Sequence, residues 1–154
     1  MRKLSFRKKF LDQPVECPRC WVKADRVVRK GIEIDICPKC KGIWVDTKEL
    51  KKLINNPELH KHLTKYVGIE SKSSLVCPRC GGLMNLEYAE NVEVDVCLSC
   101  KGIWLDKGEF EELKGKENKR FETFDIDKEV KLKKVERIQK KSIMDKLVEL
   151  VYYK

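Results

Sequence analysis

Residues Cys37 to Asp46 read CPKCKGIWVD, and Cys97 to Asp106 read CLSCKGIWLD. Each stretch comes after an earlier Cys-x-x-Cys pair, Cys17/Cys20 and Cys77/Cys80, with sixteen residues between the two pairs in both cases. The register between the copies, sixty residues, holds without a gap from Cys17 to Leu53 against Cys77 to Leu113, with 15 identities in 37 positions. The chain therefore contains a duplicated module.

A Cys-x-x-Cys turn aims two thiolates at one point, and two such turns at the ends of a hairpin make a closed tetrahedral site of four sulfurs. Two sites, Cys17/Cys20/Cys37/Cys40 and Cys77/Cys80/Cys97/Cys100, use all 8 cysteines. Structural disulfides would need an oxidising compartment, and the N-terminal MRKLSFRKKFLDQPV has basic residues but no apolar core of signal-peptide length. A redox Cys-x-x-Cys normally occurs once, beside a βαβ pattern that is missing here. Sites of four thiolates accept zinc or iron, and structural zinc is the commoner use. The expectation is two Zn2+ per chain.

The CPRC pair, the hairpin-length insert ending in IEIDIC or VEVDVC, and the CKGIW(V/L)D continuation resemble the bacterial and archaeal zinc-finger domain classed with the transcription-factor-IIB type of zinc ribbon. The first copy departs from the pattern at Lys48, where a glycine is usual, and at Trp21-Val22, where the second copy has Gly-Gly; in the second copy Leu98 replaces a proline. The eight ligands are untouched. The resemblance covers about half the chain and implies zinc binding and a ribbon fold, with little about activity.

The expected fold is a small metal-stabilised α+β protein: two tandem ribbons, each a β-hairpin with two knuckles and a short helix, with a C-terminal helical segment after them. The organisation reads as a basic arm (1–14), ribbon 1 (15–56), a helical connector (57–74), ribbon 2 (75–114) and a basic amphipathic tail (115–154). Modules of some forty residues are marginal on a hydrophobic core alone. Metal binding, on the order of 10–16 kcal/mol in isolated zinc-finger peptides, must then supply much of the folding free energy. No apolar run approaches the roughly 18 residues of a membrane span, so a cytoplasmic protein with no membrane partner is expected.

Formal net charge is +9, unevenly spread. Residues 15–53 hold ten basic and six acidic side chains, whereas 75–113 hold three and eight. Since each zinc tetrathiolate unit contributes a net charge of about −2, the loaded chain falls to about +5. In the arm, Arg2, Lys3, Arg7, Lys8 and Lys9 interleave with Phe6 and Phe10, a composition suited to a nucleic-acid contact, or to a solvated tail that packs a ring on the first module. Arg26, Arg29 and Lys30 extend that basic character into the first hairpin.

Within module 1, Arg26–Arg29 and Ile32–Ile36 read as strands turned at Lys30-Gly31, with Ile32, Ile34 and Ile36 on one face and Glu33 and Asp35 on the other. Val92, Val94 and Val96 against Glu93 and Asp95 repeat the pattern around a Glu90-Asn91 turn. Gly42 and Gly102 are expected to supply positive φ beside the last ligands. Trp44 and Trp104 are expected in the core, stacking on a base being the alternative. Asp46 and Asp106 read as N-caps, with Glu49 and Glu109 completing capping boxes. Asn56, Pro57 and Gly68 bound a connector helix; His60 and His62 point about 200° apart on it and are not ligands. Ser71 to Ser74 read as a flexible joint. Asp125 or Asp127 caps a lysine-rich helix to about Lys140, and Ser142 with Asp145 starts another, whose Ile143, Leu147, Leu150 and Val151 form a stripe.

No catalytic residue and no small-molecule substrate emerge, because both four-sulfur sites lack the open ligand position that metal-assisted hydrolysis needs. Three readings remain: a nucleic-acid-associated protein connected with transcription, binding DNA or RNA; a protein-interaction adaptor with purely structural zinc, recognising another protein through its C-terminal helix or its acidic second module; and a rubredoxin-like iron electron carrier, against which the sixteen-residue spacing and the KGIW continuation argue.

Overall fold

In a computed structural model of the chain, residues 13–53, 72–89, 92–117 and 124–152 are described. The arm from Arg2 to Lys9, the connector helix with its two histidines, and the Glu90-Asn91 turn lie outside those residues. The first module supplies β1 (Asp25–Arg29), β2 (Ile32–Ile36), β3 (Ile43–Val45) and helix α1 (Thr47–Leu53). The second supplies β4 (Lys72–Val76), β5 (Leu83–Ala89), β6 (Val92–Cys97), β7 (Ile103–Leu105) and α2 (Lys107–Glu117). A helix of 27 residues, α3 (Ile126–Tyr152), completes the described chain.

All seven strands join one sheet in the order β1-β2-β3-β7-β6-β5-β4. The β1–β2 hairpin closes through Lys30 and Gly31, both at positive φ (49° and 74°), the two-residue turn whose twist matches that of paired strands. The seam between modules is the antiparallel pair β3–β7, where Trp44 faces Trp104. These are equivalent positions in the repeat, so the sheet has an approximate two-fold axis through that pair. At the outer edge the repeat is unequal: Lys72–Val76 pairs with β5 as a strand, whereas the first module matches it with a single bridge, Glu16 to Lys23.

Both faces of the sheet are covered. On one, Ile34, Ile36, Ile43 and Val45 merge with Val94, Val96, Ile103 and Leu105, sealed by Leu50 and Leu53 of α1, Phe110 and Leu113 of α2, and Phe124 and Ile126 at the start of α3. The other holds the cysteines with Trp44, Trp104, Val15, Leu75 and Met84. Fusing two half-sheets gives each module an apolar neighbour, which relieves the size limit that forty residues impose.

Several sequence expectations are corrected. Residues 72–74 of the expected joint are strand: Ser73 and Leu75 turn inward, and the Ser73 hydroxyl donates to the buried Asp95 carboxylate, which satisfies two polar groups that would otherwise oppose burial. No break occurs at Ser142, because nothing there opposes helix and α3 runs on as one element. Asp125 caps it, accepting from Lys128 N at 3.0 Å. Of the two capping boxes, the second is present, with Glu109 accepting from Asp106 N at 2.7 Å. Glu49 instead accepts from Glu33 N on β2, at 3.0 Å.

Candidate metal centres

Each knuckle is a tight turn in which the residue after the second cysteine returns its N–H to the carbonyl of the first. Trp21 N donates to Cys17 O, Lys41 N to Cys37 O, Gly81 N to Cys77 O and Lys101 N to Cys97 O, all at 2.8–2.9 Å. That residue must have positive φ: 55° at Trp21, 64° at Lys41, 75° at Gly81 and 62° at Lys101. The expectation that Gly42 and Gly102 provide it is therefore wrong by one position. Those glycines are needed for space. A Cβ on Gly42 would lie 2.2 Å from the Trp104 ring, and one on Gly102 would lie 2.3 Å from the Trp44 ring. Each tryptophan, fully buried, thus packs on the other module's glycine.

The turns bring the predicted ligands together. Cys17, Cys20, Cys37 and Cys40 form one cluster and Cys77, Cys80, Cys97 and Cys100 the other, with all four sulfurs of each within 4.8 Å of one another. Backbone N–H groups point at the sulfurs, among them Cys20 N to Cys17 Sγ at 3.3 Å, Cys40 N to Cys37 Sγ at 3.4 Å and Arg79 N to Cys77 Sγ at 3.4 Å. Such donors favour thiolate over thiol. Burial pushes Cys17 up to about 11, and hydrogen bonding with Cys100 and Cys97 pushes Cys77 higher still, while bonds from Cys100 and Cys77 hold Cys97 low. A divalent cation is what lets all four sulfurs of such a cluster ionise together. The donor set fits a metal with a preference for sulfur.

The transcription factor zinc-finger family, of the transcription-factor-IIB zinc-ribbon type, matches residues 16–56 and again 76–116, more than half of the chain. The chain belongs to this family. No curated protein and no solved structure matches it. The two matched stretches hold six of the seven strands, nearly all of the two short helices and both four-cysteine clusters; β4 lies almost wholly before the second stretch and α3 lies beyond it.

Around the clusters runs a polar network that sequence reasoning missed. Arg79, in the CPRC knuckle of ribbon 2, crosses the seam to Asp46 Oδ2 (3.0 Å) and Asp35 Oδ2 (3.4 Å) of ribbon 1, and donates to Gln13 O at 2.6 Å. Arg19, its equivalent in ribbon 1, crosses to Asp106 Oδ1 (2.7 Å) and Asp95 (3.7 Å) of ribbon 2. Trp44 and Trp104 each donate from Nε1 to Asp46 and Asp106 at 3.0 Å. The strand face assigned to Glu33 and Asp35 is thus half interior: Asp35 is buried between Arg26 of its own ribbon and Arg79 of the other, and Asp95 is buried with the Ser73 hydroxyl and Arg19 as partners. A signal existed, since arginine and both aspartates are identical in the two repeats yet ligate nothing.

The basic residues proposed from sequence behave differently from one another. Arg26 pairs with Asp35 at 2.9 Å and Glu33 at 3.1 Å, and Arg29 with Glu129 of α3 at 2.5 Å. Lys30 is exposed at the hairpin turn. Arg29 and Arg26 are therefore engaged in fixing the fold. Asp127 of α3 receives both Lys41 and Lys107, which hold its carboxyl down at about 2. No helix among the described residues is long and apolar enough to cross a membrane.

Proposed function

We propose that this chain is a non-enzymatic protein with two structural four-cysteine zinc sites that associates with nucleic acid in connection with transcription. Cys17, Cys20, Cys37 and Cys40 would hold one zinc and Cys77, Cys80, Cys97 and Cys100 the other; when bound, zinc would offset half of each cluster's thiolate charge and tie the two knuckles of each ribbon together. Four sulfur ligands leave no open position for water or substrate, which supports a structural role. The observation that carries the nucleic-acid reading is how folding sorts charge. Asp35, Glu49, Glu87, Asp95 and Glu129 are buried but, of the cations, only Arg79 among the described residues. Lys23, Lys30, Lys39, Lys48 and Lys51 remain exposed on ribbon 1 and give that module a basic surface. A second reading, a protein adaptor, is favoured by one feature: Ile143, Met144, Leu147, Val148, Leu150 and Val151 are all exposed on α3.

The test is fluorescence anisotropy of the zinc-loaded protein with labelled duplex DNA and single-stranded RNA, between about 50 and 200 mM salt, where several phosphate contacts give a steep loss of affinity. Submicromolar binding that weakens with salt is the expected result. Absence of binding at the lowest salt would overturn the reading in favour of the adaptor.

A further inference from the structure

Trp21 is the one place where the first ribbon spends a large aromatic residue on nothing in either core. Its side chain is 73% exposed, whereas Trp44 and Trp104 are buried. It also occupies a left-handed turn position, φ 55°, that ribbon 2 gives to Gly81 at φ 75°. A side chain with a Cβ is strained in that conformation, and an exposed indole adds unfavourable contact with water. Lys41 and Lys101 accept the same conformation in the second knuckles, but Lys41 reaches an ion pair from it. Trp21 has no comparable compensation among the described residues. A strained, exposed aromatic is the kind of outlier that points to a ligand.

Immediately beyond Trp21 the chain lines a cleft. Val22 to Arg26 form one wall, α3 presents Lys133, Arg137 and Lys140 from the other side, and Pro14 and Pro38 are among its apolar lining. The cavity is about 470 Å³, within the range that holds a molecule of nucleotide size. Its walls carry five cationic side chains against Asp25 and Glu136. Those two carboxylates are matched by Arg137 and Lys133, and Arg26 is held by Asp35, so among the described residues Lys23, with Glu16 opposite it across a β-bridge, and Lys140 are the lining cations outside these ion pairs. In the sequence, the lysine- and arginine-rich residues 2–9 come shortly before Pro14.

We infer that Trp21 and the cleft between β1 and α3 form a binding site for single-stranded nucleic acid, with a base stacked on Trp21 and backbone phosphates against Lys23 and Lys140. The inference rests on the nucleic-acid reading above and gives it a location. A basic groove beside an exposed ring is the general solution for strands bound without sequence preference, since every base offers a π-face.

The experiment titrates the zinc-loaded full chain with oligo-dT and oligo-U of about 15 nucleotides, a length within the range one small module covers, following labelled-strand anisotropy and intrinsic tryptophan emission. Of the 3 tryptophans only Trp21 is exposed, so saturable quenching in step with the anisotropy is expected. Trp21→Gly should weaken binding about tenfold or more and Trp21→Phe should restore most of it. The glycine variant copies the turn of ribbon 2, so it should denature no earlier than the parent; loss of affinity then reports stacking. Lys23→Gln with Lys140→Gln should lower the salt slope by about 1.4, at roughly 0.7 per phosphate of a single strand. Parental affinity in both the glycine and the double-lysine variants would overturn the site while leaving nucleic-acid binding intact. No binding by the parent chain would remove the functional reading and the site together. Displacement of the strands by polyglutamate at equal charge concentration would reassign the cleft to an acidic protein segment.

Discussion

Arg79→Ala is expected to destabilise the folded chain by about 3 kcal/mol or more, and Arg19→Ala by under about 1 kcal/mol, although the two arginines occupy equivalent CPRC knuckles. The Arg79 side chain is 3% exposed and reaches Asp35, itself 2% exposed. It bonds to two carboxylates and the Gln13 carbonyl, and removing it strands buried acceptors, a loss of about 3–5 kcal/mol for a buried pair. Asp35 would keep Arg26 at 2.9 Å and the Val15 N–H at 3.1 Å, which places the expectation at the lower end. Arg19 is 40% exposed and its main partner Asp106 37%, so water and salt screen that pair, and Asp95 keeps its Ser73 hydroxyl. The assay is urea denaturation at fixed free zinc with reductant, monitored by tryptophan emission and far-ultraviolet circular dichroism. Arg79→Lys should fall between, because an ammonium cannot reproduce the fork that spans Asp35 and Asp46. Equal losses in the two alanine variants would refute the claim that burial, rather than the motif, sets the strength of these bridges.

At the seam, Gly102→Ala places a Cβ 2.3 Å from the buried Trp44 ring and should cost about 3 kcal/mol through overpacking, with altered near-ultraviolet tryptophan bands. Gly108→Ala, with nothing within 4 Å and a helical position in α2, should be neutral or stabilising by up to about 1 kcal/mol. Equal effects would contradict the close approach of ribbon and ring. Burial first, and then the nearby Asp106 and Asp95 charges, push Glu109 up to about 7 from an ordinary 4.5, against the Asp106 N–H that pulls it down. The folded chain then holds a proton that the unfolded chain releases near 4.5, so this stabilisation is complete below that pH and lost as pH rises through about 7. Glu109→Gln keeps its neutral side chain, and should exceed the parent in stability near pH 8 by about 1 kcal/mol after allowance for solvent screening, with the difference shrinking towards about pH 5. Because zinc-ligand protonation is common to both proteins it cancels, and a pH-independent difference would show that Glu109 is an ordinary surface carboxylate.

The cysteine clusters were legible because metal ligation imposes spacing: four sulfurs must converge, and the two Cys-x-x-Cys pairs leave few other geometries. The first hairpin was legible for a related reason, since alternation of Ile32, Ile34 and Ile36 with Glu33 and Asp35 and a Lys-Gly turn are local signals. The features that stayed hidden depend on pairings distant in sequence. Ile43–Val45 is only three residues long, too short for a periodic signature, yet its pairing with Ile103–Leu105 builds the whole sheet. Gly42 was misread because a glycine chosen for positive φ and one chosen to admit an indole look the same in a sequence. The Ser142/Asp145 pattern misled because a capping box is informative only where a helix begins; inside α3 those residues are merely polar.

The duplication itself carried more than was read from it. Beyond the cysteines and the Pro18/Pro78 pair, the identities at Arg19, Glu33, Asp35, Lys41, Gly42, Ile43, Trp44, Asp46, Glu49 and Leu53 include the arginine, glycine, tryptophan and aspartates that meet at the seam. A surface that closes on an equivalent copy about a two-fold axis must be complementary to itself, so each of its residues serves twice, once in each ribbon, and both copies are held to the same chemistry. Positions away from the seam escape that constraint and are free to diverge. Trp21 against Gly81 and Lys48 against Gly108 differ in this way, as do the basic charge of ribbon 1 and the acidic charge of ribbon 2. The shared residues therefore describe how the molecule is assembled, and the unshared ones are where recognition should be sought, which is why the exposed indole of Trp21 is a better guide to ligand than either tryptophan beside the cysteines.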